Sequence, residues 1–204
     1  MDRFIITIGR QFGSGGRAIG EKLAQKLGVA FYDKELISLA AKESGLSPEV
    51  FDSVDEKAAN SLLYSLSMGL YNFGSGFSAM GDLPVNDRLY LLQHKIIREL
   101  GERESCVIIG RCADYVLRDN PACVNIFIYA DMAFRKREAI KRHGIDEAHA
   151  EHIITKTDKS PANYYSFYSG QKWGAAENYD LCINSSKLSE DSIVELIIDY
   201  INKR

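Results

Sequence analysis

The chain is short of the residues that build stapled or metal-held folds. Its four cysteines, at 106, 112, 123 and 182, form no C-x-x-C pair, which argues against a zinc ribbon or a thioredoxin-like redox motif. Three of them stand beside Val or Ile in apparent strands, the setting of buried thiols in a reducing cytoplasm. The four histidines, at 94, 143, 149 and 152, have no cysteine at metal-ligand spacing. His149 and His152 lie three apart on an expected helix and read as a solvated face, so no protein-held metal is expected. Long apolar runs are also missing. The stretch from Phe4 to Ile8 is far too short for a signal segment or a membrane span, and nothing later is longer without interruption. A formal charge of −3 speaks against broad nucleic-acid binding, while leaving room for a local basic patch that handles a small phosphorylated molecule. What remains is 204 residues with 46% hydrophobic and 26% charged content, enough for one substantial core.

One more absence shapes the reading of the N-terminus. "IITIGRQFGSGGRAIGEKLAQKLG", residues 5–28, joins a β-branched run to a helical repeat through glycines at 9, 13, 15 and 16. The strict phosphate-loop pattern G-x-x-x-x-G-K-[ST] is not there: Arg10 and Gln11 stand five residues before Gly15 and Gly16, Arg17 is the nearest cation, and Ala18 replaces the hydroxyl residue. The chemistry of an anion cradle survives all the same. Glycines let backbone N–H groups turn inward, and Ile19, Leu23 and Leu27 mark the apolar face of a helix whose positive end meets the loop. A plain strand-to-helix turn would use the same residues, so context has to decide.

Along the chain, Gly28 ends the first helix and "VAFYD" reads as a short strand ending at Asp33. Ser47, Pro48 and Glu49 read as the start of a helix near 48. Residues 65–85 hold four glycines and a single charge, Asp82, a composition that suits a mobile flap or a segment ordered by a partner. Asn86 is placed to cap a helix whose buried face is Leu89, Leu92, Ile96 and Leu100. "CVIIG" and "ACVNIFIYA" are strands, the first ending at Gly110 and Arg111. The helix over 131–145 sets Arg135, Lys136, Arg137, Lys141 and Arg142 against Asp131 and Glu138, and at most two of its cations can face one site. Asp146 is placed to cap a further helix, "YDLCIN" is the last strand, and Ser189 opens a terminal helix with Ile193, Leu196, Ile197 and Ile201 inward. Tyr164, Tyr165, Tyr168 and Trp173 form an aromatic cluster that suits a lid or a dimer surface. Strands alternating with helices predict an α/β fold with a mostly parallel sheet, its ligands beyond the carboxyl ends of the strands.

The stretches "GRQFGSGGRAIGEKLAQKLGVAFYDKELI", "VIIGRCADYVL" and "NYYSFYSGQKWGAAENYDLCIN" resemble the cytidylate kinase-like family of P-loop nucleoside monophosphate kinases. The resemblance implies a three-layer NMP-kinase-like fold in one domain, 1–204, with a five-stranded parallel sheet, an NMP-binding insertion about 45–100 and a lid about 135–175. It implies phosphoryl transfer from ATP with Mg2+ to a nucleoside monophosphate, CMP or dCMP, or to another small phosphate acceptor; a homodimer is compatible with it. Gly9, Arg10, Gly13, Ser14, Gly15, Gly16 and Arg17 would face the donor phosphates. Arg111 would face the acceptor or the group in transfer, with Arg17, Arg135 and Arg137 as further catalytic candidates and Asp33, Asp158 and Lys159 on the substrate side. For Asp33 the helix-capping reading stays open. A nucleotide-binding regulatory protein without turnover, or a kinase of another metabolite, is the alternative.

Overall fold

A computed structural model describes residues 3–33 and 85–204. The helix expected near 48, the segment 65–85 and most of the 45–100 insertion lie outside the described residues. Within them, β1 (Ile5–Arg10), β2 (Ala30–Tyr32), β3 (Cys106–Ile109), β4 (Cys123–Tyr129) and β5 (Leu181–Asn184) alternate with helices. All strand pairs are parallel, in the order β2-β3-β1-β4-β5. The helices are α1 (Gly16–Leu27), α2 (Val85–Arg103), α3 (Ala113–Val116), α4 (Met132–His143), α5 (Ala150–Ser169) and α6 (Glu190–Lys203). This is the three-layer P-loop, NMP-kinase-like architecture.

The strands read as unbroken apolar runs because helices cover both faces of the sheet. Alternate residues go to opposite sides. Ile5, Cys106, Ile108 and Cys123 pack with Ile96, Ile97 and Leu100 of α2 and with Ala113 and Val116 of α3. Ile6, Ile8, Val107, Ile109, Val124, Ile126 and Ile128 pack with Ile19 and Leu23 of α1 and with Ile193, Val194 and Ile197 of α6. Parallel pairing then puts the ends of β1, β2, β3 and β5 on one edge, with Arg10, Asp33, Gly110 and Ser185 at or just past them.

Helix boundaries follow the caps in most places. Gly28, Gly144 and Gly170 end α1, α4 and α5 at left-handed φ of 67°, 63° and 69°, where a side chain would be strained. Ser189 caps α6 by accepting a hydrogen bond from the Ser192 N–H at 3.1 Å. Two expected caps fall elsewhere. Val85 already belongs to α2, so Asn86 lies inside its first turn. Asp146 does not cap α5: residues 146–149 close a turn, with Asp146 bonded to the His149 ring at 2.7 Å, and the helix begins at Ala150. Cys106, Cys112 and Cys123 are buried, but Cys182 is exposed, because β5 is an edge strand and its outer face is uncovered. Among the described residues no helix is long and apolar enough to cross a membrane.

Candidate active site

The loop from Gln11 to Gly15 turns on two left-handed glycines, Gly13 and Gly15, both at φ 78°. Gly15 precedes α1, which has no side-chain cap and no acid in its first turn, so its N-terminal field is left to a ligand. The loop's frame is held by several hydrogen bonds. Gln11 N–H donates to the Ile128 carbonyl at 3.0 Å, and Ser14 Oγ donates to the Gln11 carbonyl at 2.8 Å while accepting from Gly16 N–H at 3.3 Å. Ser185, just past β5, donates to the Ser14 carbonyl at 2.7 Å.

A second element closes over the loop. Arg135 of α4 is buried; its Nε donates to the Phe12 carbonyl at 2.7 Å, and its guanidinium pairs with Asp158 of α5. Asp158 Oδ1 accepts from Phe12 N–H at 2.8 Å. Both backbone groups of Phe12 are thus held by one ion pair, and its ring packs on His143 with centroids 4.9 Å apart. Gly13 fits against this clamp because it lacks a side chain: a Cβ there would stand 2.7 Å from the Arg135 carbonyl oxygen.

Gly110, Arg111 and Cys112 carry φ of 68°, 59° and 54°, one turn of left-handed backbone closed by Ala113 N–H donating to the Gly110 carbonyl at 3.1 Å. Each non-glycine residue held there costs roughly 1–2 kcal/mol, and such strain gathers at functional sites. Arg111 is half-buried; burial first, then the Arg10 charge, pulls its pKa down against the opposing effect of Tyr164 and Asp33. Burial pushes Cys112 up and raises Tyr164 well above the ordinary phenol range. Tyr164 donates to Gln93 Oε1 at 3.2 Å, Tyr168 to Asp87 Oδ1 at 2.9 Å, and Tyr90 stacks on Tyr168 at 3.9 Å. This aromatic group ties α5 to α2.

Not every candidate from the sequence lies here. Gly9 belongs to β1, where a Cβ would stand 2.8 Å from Phe127; its smallness serves packing. Arg17 is half exposed; it donates to the buried Asp33 of the same edge at 2.7 Å and to Glu21 at 3.2 Å and lies 5.6 Å over Phe31. Arg137 is exposed and covers Phe134, and Lys159 is exposed on α5. The aromatic cluster divides in three: Tyr164 and Tyr168 join α2, Tyr165 donates to Asp114 at 2.7 Å, and Trp173 packs edge-on against Phe127. Sequence reasoning missed the roles of Phe12, Gln93 and Ser185. Only the Ser185 contact has a local signal, a hydroxyl just past a strand that ends at the shared edge.

Asp114 is buried beneath this region, and burial raises its carboxyl pKa although the Tyr165 hydroxyl opposes the shift. A raised folded-state pKa means a contribution to stability that is complete below the unfolded aspartate range and is lost as pH rises through the folded value. Asp114→Asn keeps an oxygen for Tyr165 and removes the buried charge. The variant is expected to melt higher than wild type at pH 7, with the difference closing below about pH 4; thermal melts across that range check it, and an equal difference at both ends would contradict it.

The loop combines turned glycines with a helix start at which Ser14 Oγ accepts from Gly16 N–H at 3.3 Å; a Cβ added at Gly15 would meet Glu190 Oε1 at 3.7 Å, so an acid of α6 borders the loop on that side. Among the described residues no three metal-ligating side chains gather; Ala18 carries no hydroxyl and Ser14 Oγ is bonded within the loop.

An α/β fold of this topology, with a glycine loop after β1 and arginines on the same edge, defines a P-loop protein. The chain belongs to the cytidylate kinase-like family, whose pattern matches residues 5–187. It is 26% identical to a cytidylate kinase of Methanopyrus kandleri over 98% of this chain and 95% of that protein. The crystal structure of an uncharacterized protein from Eubacterium ventriosum superposes with a TM-score of 0.72 at 30% identity, covering 99% of this chain and all of the other (100%). A shikimate kinase from Bacteroides thetaiotaomicron, with a TM-score of 0.56 at 15% identity and 98% coverage of each chain, shares the fold.

Proposed function

We propose that the protein transfers the terminal phosphoryl group of ATP to a nucleoside monophosphate, with CMP or dCMP as acceptor. The carrying observation is the edge itself: parallel pairing sets the glycine loop beside Arg111, which its left-handed turn delivers from the end of β3. Membership in the cytidylate kinase-like family supports the nucleotide kinase class, and the relative named as a cytidylate kinase supports the cytosine acceptor.

Phosphoryl transfer asks the protein for alignment and positive charge more than for covalent chemistry. The P–O bond to the donor's bridging oxygen breaks as a bond to an acceptor phosphate oxygen forms, and no proton has to be moved at the attacking atom. The loop N–H groups would bind the donor phosphates, the Arg135–Asp158 pair would keep the loop in shape, and Arg111 would hold oxygens of the moving group with its planar fork. Magnesium, when bound with the nucleotide, supplies further charge neutralisation.

A second reading, nucleotide binding without turnover, is favoured by Ala18, which lacks the hydroxyl of the strict phosphate-loop pattern. Coupled detection of ADP release with CMP, dCMP, UMP, AMP, GMP and non-nucleotide acceptors separates the two. Turnover with CMP or dCMP above the other acceptors is the expected result; turnover confined to a non-nucleotide acceptor overturns the proposal, and ATP binding without any turnover favours the second reading.

A further inference from the structure

Helix α4 is pinned to the phosphate loop at two points. Arg135 Nε donates to the Phe12 carbonyl at 2.7 Å, and the His143 ring packs on Phe12 with centroids 4.9 Å apart. Arg142, the residue before His143, bridges two acids there. Its Nε donates to Glu138 Oε2 at 2.6 Å, one turn back along α4, and its Nη2 to Glu190 Oε1 at 2.6 Å, at the start of α6. That Glu190 oxygen is the atom a Cβ on Gly15 would meet at 3.7 Å, so the ion pair lies against the N-cap of α1. The other oxygen of Glu190 lies 3.4 Å from Lys22 Nζ of α1. Each half of the pair thus has a second partner, Glu138 for the arginine and Lys22 for the acid. The bond between them can open without stranding either charge.

We propose that Arg142 is a binding residue for the donor phosphates, and that Glu190 holds it at the loop until the nucleotide takes its place. The proposal rests on the kinase reading of the loop. The Glu190 carboxylate stands at the helix end that attracts an incoming polyanion, and it repels that polyanion. The guanidinium beside it is attracted to the same polyanion, and phosphate oxygens suit its planar fork as a carboxylate does. Entry of phosphate then takes Arg142 Nη2 from Glu190 while Nε keeps Glu138, and Glu190 keeps Lys22. The exchange costs little, because the two side chains are 40% and 30% exposed and ion pairs in that setting contribute weakly. A purely structural reading assigns Arg142 to the negative end of α4 and Glu190 to the positive end of α6. Under that reading the two residues act in the same direction; under the exchange they act in opposite directions.

Calorimetry with inorganic pyrophosphate on the full chain separates the two without an acceptor or turnover. Arg142→Gln is expected to weaken binding about tenfold, the low end for a lost charge-assisted bond at a partly exposed side chain. Glu190→Gln is expected to tighten it about three- to fivefold, because the repulsion goes and the guanidinium is released. Arg142→Lys should lie between wild type and Gln. Lys26→Gln removes a like charge at the far end of α1, where it pairs with Glu195 at 3.3 Å, and should change binding by less than about twofold. Melting temperatures should fall by similar small amounts in Arg142→Gln and Glu190→Gln, since both lose the same pair. Weakening in both variants, unchanged binding in either, or a loss in Lys26→Gln as large as in Arg142→Gln overturns the assignment; turnover on CMP in the same protein would then leave the kinase reading standing. Opposite effects on pyrophosphate in a protein that phosphorylates nothing would overturn the kinase reading alone. Folded wild-type protein that binds neither pyrophosphate nor ATP overturns both.

Discussion

Arg111→Ala is expected to lower turnover by about 10³-fold, while shifting the melting temperature by only a few degrees. The magnitude is that of an arginine stabilising charge on a moving phosphoryl group; an exposed structural ion pair contributes about 0–1 kcal/mol. The left-handed turn makes the two roles separable. Ala at 111 carries the same strained φ of 59° as Arg, so the backbone energy of the turn is nearly unchanged by the substitution, and what is removed is the guanidinium. Arg111→Lys retains the charge and loses the fork, so its turnover should fall between those of wild type and Ala. Steady-state kinetics on the acceptor identified by the panel, read beside thermal melts, decide the matter. Collapse of the fold, or turnover within a few-fold of wild type, would return Arg111 to a packing or ion-pair role.

Much of this edge is legible in the sequence because it rests on local signals. β-branched runs and glycine clusters fix where strands stop, and the four-residue spacing of Ile19, Leu23 and Leu27 fixes the face of α1. Once the topology is parallel, Gly110 and Arg111 must fall beside the loop. The direction of a side chain is a different matter. Arg17 is the obvious loop cation by position, yet its partners are Asp33 and Glu21, a tertiary and a turn-to-turn partner that position alone does not weigh. Arg10, which the resemblance sets with the donor-phosphate loop, ends β1 and reaches Gly110 because β1 and β3 are neighbours. The left-handed turn at Arg111 and Cys112 gives no warning either, since that conformation is usually announced by Gly, Asn or Asp.

The helix α5 shows the same limit from the other side. Pro161 lies inside it, where proline removes a donor and crowds the preceding turn, and in a sequence it signals a stop. Tertiary anchors beyond the proline outweigh the signal: Tyr164 to Gln93, Tyr165 to Asp114 and Tyr168 to Asp87 hold the second half of the helix in place. That continuity carries Asp158, one turn before the proline, over the phosphate loop. The family resemblance alone put Asp158 on the substrate side; its contacts in the fold are with Phe12 and Arg135.

Asp158→Ala should therefore act on the donor loop and on stability together, and leave the acceptor's KM nearly unchanged. Removing the carboxylate strands Arg135, a residue only 5% exposed, and breaking a buried pair from one side costs about 3–5 kcal/mol. It also strands the Phe12 N–H that donates to Oδ1 at 2.8 Å, a loss that overlaps with the first and is not added to it. For a chain of this length each kcal/mol corresponds to about 2–4 °C, so the melting temperature should drop by roughly 6 °C or more. The loop then samples more conformations before binding, and the ordering it must undergo weakens pyrophosphate or ATP affinity by about tenfold. Asp158→Asn keeps an acceptor for Phe12 and loses the charge, and should fall between. Calorimetry with ATP, thermal melts and the KM of the acceptor form the test: a raised acceptor KM with unchanged melting and unchanged ATP affinity would return Asp158 to direct substrate contact, because a clamp on Phe12 cannot be removed without loosening the loop it holds.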